Sequence, residues 1–234
     1  MKNLILFILI TLVAVAGCQK DDPELIQTSH IYYFGLIHNY LDAPTLTAEE
    51  TQELQSAHLG NIERLYKLGV LPLAGPFGTP NSTDWAGVFF YDVPTKDSAN
   101  KLAETDPACE SGHLYVTNYP LECEGEIKYN EPVEMTSFTS LFIFSDETHP
   151  IDFTYDQFLE MIFTPAKTQF DSMRIALSGS VIDQNKENFS ALYIIEGITP
   201  EELLTVMDNL PTTSRKRWPT KVIQWYGPMG LRLE

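Results

Sequence analysis

One order of elements occurs twice along this chain, and that repetition restricts its fold more than any other feature. Residues 31–38 form a β-rich apolar run, and a capping box of Thr47 and Glu50 starts a helix after it. Residues 70–75 return as a strand, the turn-forming residues 79–84 follow, and residues 85–93 make a third strand. Pro94-Thr95 opens a second helix with Ala99, Leu102 and Ala103 on one face, and residues 114–121 close the set. The order then recurs. A strand at 138–144 precedes a capping box of Thr154 and Gln157 and a helix that Pro165 must kink or restart. Strands at 175–181 and 189–195, a helix opened by Thr199-Pro200-Glu201-Glu202 and a strand at 222–226 complete it. An offset of 104 residues lays Gly75 on Gly179, Phe89 on Tyr193, Thr95 on Thr199 and Pro107 on Pro211.

Each set is a split βαββαβ unit, the ferredoxin-like arrangement of an α+β fold. A four-stranded sheet with both helices on one face leaves its other face bare. Two units in one chain can cover those faces with each other, so a monomer is expected. The boundaries read as a first unit at 30–124, an acidic linker at 125–134 and a second unit at 135–234.

Residues 1–17 stand apart. Lys2 and the apolar run at 4–16 make a signal peptide, too short to span a bilayer comfortably and ended by small residues. Val15-Ala16-Gly17-Cys18 resembles a bacterial lipobox, which implies cleavage before Cys18 and acylation of its thiol and new amino group. Two or three acyl chains hold a protein at a membrane where one does not. An ordinary secretory signal with a chance cysteine is the other reading. Residues 18–29 are a polar, acidic tether with little to bury. Gln19-Lys20-Asp21-Asp22 is similar to the surface-export signal of lipoproteins in the Bacteroidetes, which implies the outer membrane and a body facing outward, a periplasmic facing being the alternative. The net charge of −17 becomes −18 without Lys2, and such a surface repels phosphate backbones, which argues against nucleic acid as a partner. Cys109 and Cys123 are a candidate disulfide in an oxidising compartment, with two buried free thiols as the alternative.

Within the first helix, Leu54, His58, Ile62 and Leu65 recur at helical spacing and aim one titratable ring at the core. An imidazole among leucines is either a satisfied core residue or a group placed for chemistry. His58-Leu59, Leu65, Leu68-Gly69, Leu73-Ala74-Gly75-Pro76, Gly87 and Asp106-Pro107 resemble the YCII-related family, a branch of the dimeric α+β barrel superfamily. The resemblance covers residues 31–124. It implies two ferredoxin-like units paired sheet to sheet, here as an intrachain dimeric α+β barrel, with a catalytic pair at His58 and Asp106 beside a pocket at Gly75 and Pro76. Two departures stand out. Many members carry an Asp soon after Gly-Pro, where this chain has Phe77-Gly78-Thr79, and the tandem arrangement replaces a one-domain homodimer. In the second unit Ile162 and Leu210 occupy the offset positions of His58 and Asp106.

A carboxylate on one ring nitrogen fixes the imidazole tautomer and raises the basicity of the other nitrogen, as a general base requires. The plainer readings are that His58 bonds a backbone carbonyl and that Asp106 caps the chain reversal before Pro107. His38 and His113 stand at strand ends that the fold can bring near His58. The three carry no local metal signature, so neither metal nor cofactor is expected. Ser214-Arg215-Lys216-Arg217 reads as a solvated basic loop, and no Ser-His-Asp, phosphate-loop or dinucleotide fingerprint appears. Two functions remain. One is an anchored lipoprotein with a small-molecule lyase or isomerase activity, His58 acting as base and Asp106 orienting it. The other is a ligand-binding or scaffold lipoprotein without turnover. The expected partners are the membrane, through the anchor, and a small-molecule ligand.

Overall fold

Both faces of the first strand are apolar because both are covered. In β1 (His30–Asn39), Tyr32, Phe34 and Leu36 point one way, and Tyr33 and Ile37 the other, each set into a different core. The structure, a computed structural model, describes residues 29–79, 83–145, 154–183, 185–210 and 219–234. The signal segment, Cys18, the tether up to residue 28, Pro211 and the basic cluster at 214–217 lie outside the described residues.

The first unit continues with α1 (Ala48–Lys67), β2 (Leu73–Pro76), β3 (Trp85–Tyr91), α2 (Lys96–Glu104), the single turn α3 (Pro107–Glu110) and β4 (Leu114–Cys123). Thr47 and Glu50 form the capping box that starts α1, each side chain bonding the other's backbone N–H. A short strand β5 (Ile127–Lys128) lies between the units.

In the second unit, β6 (Met135–Phe144) leads to a helix that widens where Pro165 forbids regular bonding. Here α4 (Tyr155–Phe158) passes into a π-helical turn at Leu159–Phe163 and resumes as α5 (Thr164–Lys167). A π turn carries the chain past the N–H that proline lacks. Then come β7 (Arg174–Val181), β8 (Phe189–Glu196), α6 (Pro200–Asp208), β9 (Thr220–Pro228) and a terminal β10 (Arg232–Leu233). Both ends of α2 and α6 differ by 104 residues, as the repeat requires.

Strand order is β2-β3-β1-β4 in the first half and β7-β8-β6-β9 in the second, the ferredoxin-like order twice, with every pairing antiparallel. The halves join where β4 pairs β7, at Leu121↔Val181, Glu122↔Ser180 and Cys123↔Gly179. At the other seam Phe77 bridges Trp225, and the Gly78 N–H donates to the Gln224 carbonyl at 2.7 Å. The eight strands thus close on themselves.

The two seams correspond under the repeat, and each has a glycine where the strands meet. A Cβ on Gly75 would lie 2.0 Å from the carbonyl oxygen of Tyr226, and one on Gly179 2.6 Å from Leu121 Cγ. A side chain at either glycine would force its neighbour to shift, and at Gly75 that neighbour is backbone.

Apolar residues fill three layers. Inside the barrel the two sheets meet face to face: Phe34 of the first unit packs on Phe90 but also on Phe142 and Phe189 of the second, with ring centroids 5.2–6.1 Å apart. Outside, α1 and α2 cover the first sheet through Leu65, Ala99 and Ala103. The second sheet is covered by Phe158, Ile162, Leu203 and Val206, with Phe158 stacked on Tyr193 at 3.7 Å.

The acidic segment between the units is held at several points: β5 pairs with β10, the buried Ile127 donates its N–H to the Tyr32 hydroxyl at 2.9 Å, and the Asn130 N–H donates to the Met229 carbonyl at 3.1 Å. The structure also decides between the two readings of the cysteines. The candidate disulfide is absent, for Cys109 and Cys123 are free thiols. Cys109 lies in α3 and Cys123 at the far end of the ten-residue β4, which at about 3.3 Å per residue sets them far beyond bonding reach.

Candidate functional site

His58 projects from α1 toward the outer face of the first sheet, on the stripe that holds Leu54, Ile62 and Leu65. Its ring faces Phe89 of β3 at 6.2 Å between centroids. Asp106 comes from the turn between α2 and α3, where Pro107 occupies the first helical position and Asp106 is the N-cap. One carboxylate does two jobs. Oδ1 accepts the Ala108 N–H at 2.9 Å, and the two oxygens lie 2.9 and 2.8 Å from His58 Nδ1. The capping role and the pairing role, which the sequence left as alternatives, coexist at one residue.

The first unit holds three His–Asp contacts of similar length, so distance alone does not single this one out. His30–Asp92 and His38–Asp84 each measure 3.0 Å, but their carboxylates are 45% and 36% exposed and hence well solvated. Asp106 is 1% exposed, while the His58 side chain keeps 20% of its surface. A carboxylate removed from water holds its charge only through its bonds. The pair is therefore asymmetric, with a buried anion behind a histidine that opens outward.

The ring opens into a cavity of about 300 Å³ between α1 and the strands β2 and β3. Gln55, Gly75, Pro76 and Phe89 line it with His58, and Met135 of the second unit closes one side. The sequence predicted Gly75 and Pro76 at a pocket wall, and the structure brings them to the same cavity as His58. His58 and Gln55 are the polar side chains on this wall; the rest is apolar.

Sequence reasoning missed the support behind Asp106. Asn61 is buried on α1, its Nδ2 making a long 3.4 Å contact to Asp106 Oδ2 and its Oδ1 accepting from Arg64 Nη2 at 2.7 Å. Arg64 also donates to Thr105 Oγ1 at 3.0 Å, which ties α1 to the turn that carries Asp106. A polar residue three positions after His58 on a buried stripe was the available signal. Cys109 lies close behind, and burial together with the Asp106 charge pushes its thiol up to about 12, so it is a protonated neighbour and no nucleophile. Burial, with Cys109 and then Asp106 beside it, holds the Tyr91 hydroxyl far above its ordinary range.

The remaining described histidines are dispersed. His38 engages Asp84, and His113 lies 2.9 Å from Ser111 Oγ and 3.0 Å from the Pro44 carbonyl. Among the described residues no group of three or more His, Cys, Asp or Glu gathers at metal-binding distance. In the second unit, Ile162 and Leu210 pack into the outer core at the positions equivalent to the pair.

The fold and its first unit have counterparts among known proteins. Residues 34–120 match the family of the YCII-related domain. No curated protein sequence matches the chain. Among solved structures, the chlorite dismutase of Candidatus Nitrospira defluvii, as a tryptophan-to-phenylalanine mutant in complex with cyanide, is 12% identical with a TM-score of 0.55, over 83% of this chain and 90% of that one. An arginine-to-glutamate mutant of the same protein scores 0.54 at 12% identity, over 86% and 93%. The candidate chlorite dismutase TA0507 is 14% identical with a TM-score of 0.54, over 86% and 94%. Identities this low carry the fold alone. Residues 34–120 of the first unit are thus similar to the YCII-related domain, and the chain as a whole has the dimeric α+β barrel fold.

Proposed function

We propose that the first unit binds a small, largely apolar molecule and moves a proton on it, as a lyase or isomerase does. The observation that carries this is the buried Asp106 carboxylate at 2.8 Å from His58 Nδ1, behind a ring that lines a 300 Å³ cavity. With Nδ1–H donated to Asp106, Nε2 carries the lone pair and is the atom able to accept a proton. Asp106 stabilises the imidazolium that then forms, and Asn61, Arg64 and Thr105 hold the carboxylate in place. Gln55, on the same wall, has an amide suited to an oxygen on which charge develops. The second unit acts as the structural partner and lends Met135.

The second reading is a binding protein without turnover. The wall's scarcity of polar side chains favours it, because catalysis needs groups that meet developing charge. Incubation in D2O with a panel of small unsaturated lactones and carboxylates, followed by proton NMR, separates the two. Exchange of an acidic C–H by the wild type and its loss in His58→Gln supports proton transfer. A ligand that binds without exchange leaves the binding reading.

We place the protein at the outer membrane as a monomeric lipoprotein anchored at Cys18 and exposed at the cell surface. The lipobox-like Val15-Ala16-Gly17-Cys18 and the following Gln-Lys-Asp-Asp support this. Cys18→Ser should abolish labelling by a fatty-acid probe and release the protein from membranes. Continued sedimentation of the Ser variant with the outer membrane would contradict the anchor.

A further inference from the structure

A second cavity, of about 410 Å³, opens at one end of the barrel interior, on the other face of the sheet from His58. Consecutive residues of β1 serve the two sites: Ile37 lines the first cavity and His38 the second. The β1–β3 register slips between them, an irregularity of the kind that re-aims a side chain. The walls are aromatic, with Trp85, Phe142, Phe144 and Phe189. Lys221 stands at the exposed rim with its ammonium 4.1 Å from the centre of the Trp85 ring.

His38 is fixed from two sides. Its ring stacks on Tyr115 at 4.5 Å and 5° between planes, and Nδ1 lies 3.0 Å from Asp84 Oδ2. With Nδ1–H donated to the carboxylate, the Nδ1–H tautomer presents Nε2 as an acceptor. That Nε2 is buried and has no hydrogen-bond partner among the described residues. A buried acceptor left unmatched is costly, so the missing group is a donor. Glu187 on the same wall disfavours a carboxylate ligand, whereas Lys221 can donate to a neutral oxygen.

We propose that this end of the barrel is a second small-molecule site, for an aromatic alcohol of the phenol class whose hydroxyl donates to His38 Nε2. The oxygen of such a hydroxyl also accepts from Lys221, and the rings lie among the aromatic walls. A cavity of roughly 150 Å³ holds benzene, so this one has room for two or three fused rings.

The test is a fluorescence titration of the full chain with 2-naphthol and with 2-methoxynaphthalene, which keeps the rings but lacks the donor. The wild type should bind 2-naphthol at one site at least about tenfold more tightly than the ether. His38→Phe, which preserves the stack on Tyr115, should erase that preference, and His58→Gln should leave it intact. Equal affinities in the wild type, a preference that survives in His38→Phe, or one lost in His58→Gln would each overturn the proposal. Should His38→Phe fail to fold, the wild-type comparison decides alone.

Discussion

Replacing Asp106 by asparagine and by alanine divides its two jobs. Asparagine caps a helix about as well as aspartate, so Asp106→Asn keeps the bond from Ala108 N–H that now measures 2.9 Å. It loses the charge on the 2.8 Å bond from His58. Charge-assisted bonds contribute about 1.5–3 kcal/mol and neutral ones about 0.5–1.5, so the expected cost is about 1–2 kcal/mol. Alanine removes the cap as well, worth about 1 kcal/mol, and the whole His58 bond, for a total of about 2.5–4 kcal/mol. Urea denaturation measures both, and the midpoint should move while the slope stays constant. Any activity should vanish in the asparagine variant although it folds, because its amide N–H meets Nδ1 and drives the ring hydrogen to Nε2. Equal stability costs for the two variants, or a cost below about 0.5 kcal/mol for asparagine, would refute the two-job account.

At the seam, Gly75→Ala should cost about 3 kcal/mol, since its Cβ falls 2.0 Å from a backbone carbonyl, whereas Gly60→Ala on α1 meets nothing within 4 Å and should stabilise by about 0.5–1 kcal/mol; thermal melts compare them. Burial, helped by Asp106 at Cys109 and by Glu122 at Cys123, pushes both thiols up to about 12, so iodoacetamide at pH 8 should label these positions only after unfolding; rapid labelling of either in the folded protein would contradict their placement. The same shifts set an alkaline limit. The folded state holds protons that the unfolded thiols lose near 9, so stability present below pH 9 should fall as pH rises toward 12, which urea midpoints from pH 8 to 11 will show. A fragment ending at Glu124 uncovers Phe34, which packs on Phe142 and Phe189 of the second unit in the whole chain, and should dimerise or aggregate; a well-behaved monomer by light scattering would count against face-to-face packing.

The fold was legible because its signals are local and doubled. Capping boxes at Thr47, Thr154 and Thr199 mark helix starts that the structure keeps, and Pro165 marks a break that appears as a π turn. The repeat announced the closed barrel by bringing Gly75 and Gly179 into register before their reason was visible. That reason, the approach of Tyr226 and Leu121, depends on contacts far away along the chain and leaves no local trace. At the candidate site, helical spacing aimed His58 inward and the Asp-Pro motif supplied Asp106. Asn61 was passed over because an asparagine within a helix is ordinarily exposed, and only the position of Asp106 gives it a partner. Asp84 was hidden in a turn-rich run, where aspartate has a sufficient local explanation, although it holds His38 across 46 residues. The cysteines were undecided for a similar reason. Pairing and free thiols stood as alternatives in the sequence, and only the extended β4, which carries the two apart, decides for free thiols.

The state of one proton tests the central claim most directly. Two-bond nitrogen–proton correlation spectra of the protein, labelled with 15N in its histidine rings, report which nitrogen of His58 carries hydrogen. A base held by Asp106 requires the Nδ1–H tautomer in the wild type, with Nε2 unprotonated toward the cavity, and a shift of the hydrogen to Nε2 in Asp106→Asn. An Nε2–H ring in the wild type, or a spectrum that the Asp106 substitution leaves unchanged, would contradict the account.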